Sequence, residues 1–278
     1  MHIVVFTDLD ATLLDAETYS WSAAAEALDA LRRREASIVL VSSKTLAEME
    51  LLHRELELDS PFIVENGGGI VFGPHAPLAE TLSRFPGVSR LPGMRLSMLP
   101  LGAGYDDLVV SLAEMAADVG LPLKGFSSMP EEEVASLTGL HQRDAALAKQ
   151  RRFDEPFLVP DTSEAVSGAI ERAAARRGLT AVQGGRFWHL LGHEGKGRAV
   201  SLLIDTYRQT FREVATIGLG DSPNDYPFLA VVDIPILVGG AAQGRALPAV
   251  LAGARMTSEL GPKGWNTAIL ACLRERTA

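Results

Sequence analysis

The chain has 278 residues, enough to bury one large core or two smaller ones. Hydrophobic residues make up 47% and charged residues 22%, and the net charge is −9, which suits a soluble globular protein and lacks the basic surplus of a nucleic-acid binder. Cys272 is the single cysteine, so no intrachain disulfide can form, the N-terminus has no basic leader segment, and no apolar run nears the roughly 18 residues of a membrane span; a cytosolic protein is expected.

In chain order, the apolar run Ile3-Val4-Val5-Phe6 has no polar alternation, which predicts a strand buried on both faces of a parallel sheet. It stops at Asp8-Leu9-Asp10. Ligands of open α/β sheets bind beyond the carboxyl ends of such strands. Two carboxylates there repel, and keeping both ionised calls for a cation, or for a phosphoryl group and a cation together. Residues 22–35 (SAAAEALDALRRRE) read as a helix and residues 37–41 as a second buried strand ending at Ser42-Ser43-Lys44-Thr45. Leu46, Met49, Leu52 and Leu56 mark one face of the next helix, and short strands follow at 62–64 and 70–72 around Glu65-Asn66-Gly67-Gly68-Gly69. This alternation predicts right-handed crossovers and a parallel sheet that includes the 62–64 strand.

From Leu78 the texture changes to Pro-punctuated turns, a strand at 95–101 and helices at 106–119, 130–137 and 143–151. A strand at 157–159, a helix at 163–177 and a hairpin of 180–183 and 187–191 around Gly184-Gly185 complete an α+β insertion. The α/β rhythm resumes with a helix from Lys196 to Arg208, a strand at 214–220 ending in Asp221-Ser222-Pro223-Asn224-Asp225, a strand at 234–238 and a helix at 265–276.

Three strand ends therefore carry polar groups, Asp8 and Asp10, Ser42, and Asp221 with Asp225, while Lys196 opens a helix. Brought together they would hold a phosphate and a hard divalent cation, and carboxylate oxygens suit Mg²⁺. Asp8, nearest the strand, is the candidate nucleophile, forming an acyl phosphate that water later hydrolyses. Asp10 is the candidate acid and base, protonating the leaving oxygen and then deprotonating the attacking water. Lys196 would orient Asp8, Ser42 (or Ser43) would donate to a phosphoryl oxygen, and Asp221 would complete the metal shell. Asp225 would support the metal or favour its helix N-terminus. Lys44 could meet substrate charge. Asn66, Gly67 and Gly68 could present amides to substrate or form a plain hairpin turn.

With these residues in place, the chain resembles the haloacid dehalogenase superfamily of aspartate-nucleophile phosphatases. The ordered motifs are FTDLDATLLD (6–15), the Ser42 strand end, Lys196 in HEGKGRAV (193–200) and GLGDSPND (218–225). The resemblance implies an α/β fold: a Rossmann-like parallel-sheet core, residues 1–82 and 190–278, with an inserted α+β cap, residues 83–189. It also implies Mg²⁺ held by the side chains of Asp8 and Asp221 and the backbone carbonyl of Asp10, with Asp225 nearby. Ala11 stands where the superfamily usually has Gly, and Ser42 where Thr is commoner.

More narrowly, VSSKT (41–45), PFIVENGGGI (61–70), RRFDEPF (151–157) and GGRFWHL (184–190) are similar to mannosyl-3-phosphoglycerate phosphatases. That likeness implies hydrolysis of 2-O-mannosyl-3-phosphoglycerate, or its glucosyl analogue, to the glycosylglycerate and phosphate. The partner would be a phosphorylated glycosyl-glycerate rather than nucleic acid or membrane. In the cap, Arg152 and Arg186 could bind a carboxylate through paired hydrogen bonds, and Gln183 and His189 could bind hydroxyls; each could equally be a solvated or internally paired side chain. The rivals are another phosphosugar phosphatase or mutase, and a catalytically silent sugar-phosphate sensor. The intact Asp8, Asp10, Lys196 and Asp221 argue against the sensor.

Overall fold

The computed structural model describes residues 1–160, 163–184, 186–192, 195–241, 244 and 247–275. Gly185 of the expected hairpin turn, His193 and Glu194 of the lysine motif and Arg276 of the expected last helix lie outside the described residues.

The chain begins with β1 (His2–Thr7), α1 (Ala25–Arg32), β2 (Ser37–Leu40) and α2 (Leu46–Glu55). β3 (Phe62–Val64), β4 (Gly69–Phe72), α3 (Ala79–Leu82), β5 (Ser89–Arg90) and β6 (Ser97–Pro100) follow. The inserted module comprises α4 (Tyr105–Val119), β7 (Lys124–Gly125), α5 (Glu131–Thr138), α6 (Gln142–Ala148), β8 (Asp154–Leu158), α7 (Glu164–Ala175), β9 (Thr180–Gln183) and β10 (Trp188–Leu191). The core resumes with α8 (Lys196–Thr210), β11 (Val214–Gly220), α9 (Tyr226–Leu229), β12 (Ile234–Leu237), β13 (Arg255–Met256) and α10 (Gly261–Glu275).

The core sheet is parallel in the order β13-β12-β11-β1-β2. β1 lies between β11 and β2, which is why its apolar run needs no alternation. Ile3 and Val5 pack in one apolar layer with Leu28, Leu31 and Trp265, and Val4 and Phe6 in the other with Val200, Leu203 and Tyr207. The register Thr7↔Leu219 brings the ends of β1 and β11 side by side, so Asp8 and Asp221 emerge at one edge.

β3 departs from the expected parallel arrangement. It meets the core sheet at a parallel bridge between Val41 and Ile63, then pairs antiparallel with β4 in the separate sheet β3-β4-β6-β5. The cause is the tight turn at Glu65-Asn66-Gly67, which reverses the chain too quickly for a crossover. Residues 83–100, expected in the cap, supply β5 and β6 to this same sheet, and Leu82 and Leu99 pack with Phe6 and Val39.

The inserted module has its own antiparallel sheet, β7-β8-β10-β9, and its own apolar cluster, in which Leu108 and Met115 of α4 and Ile170 and Ala173 of α7 meet Phe157 and Trp188. This is the expected α/β core with an α+β cap. α5 and α6 reach toward the core, where the Thr45 hydroxyl donates to the carbonyl of Leu147 at 2.9 Å. Among the described residues, no helix is long and apolar enough to cross a membrane.

Candidate active site

Asp8 is 7% exposed and continues the β1 ladder, its N–H donating to the Leu219 carbonyl at 2.9 Å. Beneath it, the Trp265 indole N–H donates to Thr7 Oγ1 at 3.0 Å, tying α10 to the strand end. Ala11 has φ 58°, so the left-handed turn that favours Gly forms with a Cβ present, at a cost of about 1 kcal/mol. Asp10 follows on the rim, and the Lys44 ammonium lies 3.0 Å from its Oδ1. The charge nearest Asp10 is thus a cation from the β2–α2 loop.

Lys196 opens α8 fully inside the protein, and its Nζ donates to Asp8 Oδ1 and to Asp225 Oδ1, each at 2.7 Å. Asp225 Oδ2 in turn accepts the N–H groups of Asp221 at 3.0 Å and Ser222 at 3.1 Å. Asp225 therefore both anchors the lysine and shapes the loop after β11, contacts that neither the metal-supporting nor the helix-terminus role expected from sequence includes. Thr12 Oγ1 donates to Asp221 Oδ1 at 3.4 Å. Burial, and then the charge of Asp225, push the Asp8 carboxyl well above its ordinary range, with Lys196 pulling the other way. Burial acts to lower the Lys196 ammonium, but the Asp225 and Asp8 charges outweigh it and raise the group above the ordinary lysine value.

One oxygen from each of Asp8, Asp221 and Asp225 falls within 4.8 Å of the others. Three converging carboxylates and one ammonium leave negative charge in excess. An all-oxygen donor set of this kind fits a hard divalent cation.

A cavity of about 180 Å³ separates core from cap beside this cluster; Asp10, Ser43 and Lys44 line one side, and Arg151, Phe187 and His189 the other. Tyr19, with φ 56°, also lines it and lies under the Lys44 ammonium, 5.4 Å from the ring centre. Ser42 is buried, its Oγ accepting the Lys44 N–H at 3.2 Å. His189 Nδ1 pairs with the buried Asp154 carboxylate at 2.8 Å.

Other residues singled out from sequence stand elsewhere. Arg152, Gln183 and Arg186 are exposed and do not line this cavity. The Arg151 side chain is 6% exposed, whereas its neighbour Arg152 faces solvent. Arg151 Nη1 donates to the Ser43 carbonyl and Nε to the Ala148 carbonyl, each at 2.7 Å, so it braces cap against core. Asn66, Gly67 and Gly68 are buried under the cap rather than facing the cavity. A Cβ at Gly67 would lie 2.6 Å from the Gly195 oxygen, and one at Gly68 2.2 Å from Phe153 Cβ, so these glycines allow close approach. Sequence reasoning missed Glu65, which is wholly buried and accepts the N–H groups of Arg152, Phe153 and Asp154 at 2.9, 2.8 and 3.1 Å. Burial pushes its carboxyl up to about 7, against the opposing pull of Arg151 and these N–H groups. A lone acid inside an apolar run such as PFIVENGGGI was the available signal.

Comparison with known proteins agrees with this geometry. A family model for haloacid dehalogenase-like hydrolases matches residues 5–82. A glucosyl-3-phosphoglycerate/mannosyl-3-phosphoglycerate phosphatase of Methanococcoides burtonii is 40% identical over 271 residues, covering 97% of each chain. The protein of the same name from Persephonella marina is 37% identical over 278 residues, covering 98% of each. The crystal structure of a haloacid dehalogenase-like hydrolase from Bacteroides thetaiotaomicron has the same fold, with a TM-score of 0.63 at 16% identity over 98% of this chain and 100% of that one. The chain therefore belongs to the haloacid dehalogenase-like hydrolases, and within them to the family of the glucosyl-3-phosphoglycerate/mannosyl-3-phosphoglycerate phosphatases.

Proposed function

We propose that this phosphoric monoester hydrolase removes the phosphate of 2-O-mannosyl-3-phosphoglycerate, or of its glucosyl analogue, through an aspartyl-phosphate on Asp8. The observation that carries the reading is the Asp8 carboxylate held 2.7 Å from Lys196, with oxygens of Asp221 and Asp225 converging on it, beside a cavity walled by both core and cap. Asp8 and Asp221, with the Asp10 backbone carbonyl, would hold Mg²⁺, which supplies positive charge against the phosphoryl oxygens and lets two anions approach.

The Asp8 carboxylate attacks phosphorus, the bond to the glycerate oxygen breaks, and Asp10 gives that oxygen its proton. A water then adds to phosphorus and gives its proton to Asp10, and the bond to Asp8 breaks to release inorganic phosphate. Lys196 holds Asp8 in line and balances charge on the transferring group, while Ser42 donates to a phosphoryl oxygen. On the cavity wall, Lys44 is placed for the glycerate carboxylate, with Ser43 and His189 for hydroxyl groups. The braced cap keeps bulk water from the first step.

The test is phosphate release with Mg²⁺ across mannosyl- and glucosyl-3-phosphoglycerate, 3-phosphoglycerate, hexose phosphates and sucrose phosphate. The highest kcat/KM is expected on a glycosyl-3-phosphoglycerate. Preference for a plain sugar phosphate, or isomerisation without free phosphate, would reject the assignment.

A further inference from the structure

The turn at residues 65–68 meets the β2–α2 loop, the 224 position of the core and the entry to β8 of the cap without lining the cavity. Glu65 and Asn66 have φ 48° and 57°, a region that L side chains rarely adopt, and neither has exposed surface. Directed hydrogen bonds hold them there. Glu65 grips three successive N–H groups at the entry to β8. The Asn66 amide faces both ways: its nitrogen donates to Asp154 Oδ2 of the cap at 2.9 Å, and its oxygen accepts from Asn224 Nδ2 of the core at 3.0 Å. Asp154 binds His189 on the cavity wall, and Asn224 immediately precedes Asp225, the partner of Lys196. A hydrogen-bonded path, buried at Asp154 and Asn66, therefore runs from His189 through Asp154, Asn66 and Asn224 to the loop that carries Asp221 and Asp225. An amide is suited to the middle of it, because one group donates to a carboxylate while the other accepts from a second amide.

We propose that Asn66 is a positioning residue that couples the seating of the cap to the arrangement of the 221–225 loop. A substrate whose glycosyl part engages the cavity holds His189 and Asp154 in their hydrogen bonds toward Asn66, and Asn66 sets the loop through Asn224. Occupancy of the sugar end is thereby converted into turnover at the phosphate end. This rests on the glycosyl-3-phosphoglycerate reading above.

The experiment compares kcat and KM for mannosyl- and glucosyl-3-phosphoglycerate with those for p-nitrophenyl phosphate, which has no glycosyl arm, in wild type, Asn66→Gly, Asn224→Ala and the double variant. Glycine keeps the left-handed backbone while removing the side chain and with it both amide hydrogen bonds. The ratio of glycosyl to p-nitrophenyl kcat should fall about tenfold in each single variant, with glycosyl KM changing less than about twofold, and the double variant should be no worse than the poorer single. If Asn66→Gly fails to fold, Asn224→Ala carries the same comparison from the other end. An unchanged kcat ratio, a loss confined to KM, or additive losses overturns the coupling alone. A wild-type enzyme that does not favour the glycosyl substrates overturns the substrate reading and the coupling together.

Discussion

Replacing Lys196 with methionine removes the ammonium between Asp8 and Asp225 while keeping a side chain of similar length. Both partners are 2.7 Å away, and Lys196 and Asp225 are 2% and 0% exposed, so water cannot take over the role without opening the core. Removing one member of a buried ion pair costs about 3–5 kcal/mol, because the stranded charges remain. Here two carboxylates are stranded, and burial already disfavours the charge on Asp8. The loss should therefore be greatest where both are ionised and shrink as falling pH protonates them. Urea denaturation followed by circular dichroism, in chelator at pH 8, should show this deficit. Added Mg²⁺ should recover more stability in the variant than in wild type, since the dication neutralises the same oxygens. Phosphate release should fall about 10²–10³-fold or more. A metal-free deficit below about 1 kcal/mol, the ordinary value of an exposed pair, would refute the claim that these charges depend on one another.

The other expectations concern the turn and the cavity. Glu65 titrates at about 7 in the fold against an ordinary 4.5, so the stability this gives is full below 4.5 and lost as pH rises to about 7. Glu65→Gln, always neutral, should melt with wild type near pH 5 and be more stable at pH 8 by up to roughly 3 kcal/mol; lower stability at pH 8 would show that the ionised carboxylate is what the three N–H groups require. Gly67→Ala should cost about 2 kcal/mol or more and depress kcat, because φ is 101° and the new Cβ meets the Gly195 oxygen at 2.6 Å, next to Lys196; wild-type melting would contradict that contact. Lys44→Met should raise KM for the glycosyl substrates about tenfold or more, whereas Arg152→Ala and Arg186→Ala should leave it within about twofold; the reverse pattern in steady-state kinetics would move the carboxylate site to the exposed arginines.

How much was legible in the sequence depended on what fixed each residue in place. β1 and β11 are buried on both faces, so their apolar runs identified them, and acids at their ends had to meet because the strands are neighbours. The sheet joining β3 was not legible. Its direction is set by left-handed backbone at Glu65 and Asn66, residue types that do not advertise such a turn as glycine does. Arg151 and Arg152 are chemically identical, and tertiary partners, the carbonyls of Ser43 and Ala148, decide which turns inward. The two-residue strands β5, β7 and β13 are too short to carry a pattern.

The most direct test of the account is to trap the first chemical step. A rapid acid quench during turnover of glucosyl- or mannosyl-3-phosphoglycerate with Mg²⁺, followed by peptide mass spectrometry, should find a phosphoryl adduct on Asp8, absent from Asp8→Asn, which should also release no phosphate. An adduct on another residue, or undiminished phosphate release by Asp8→Asn, would contradict the account.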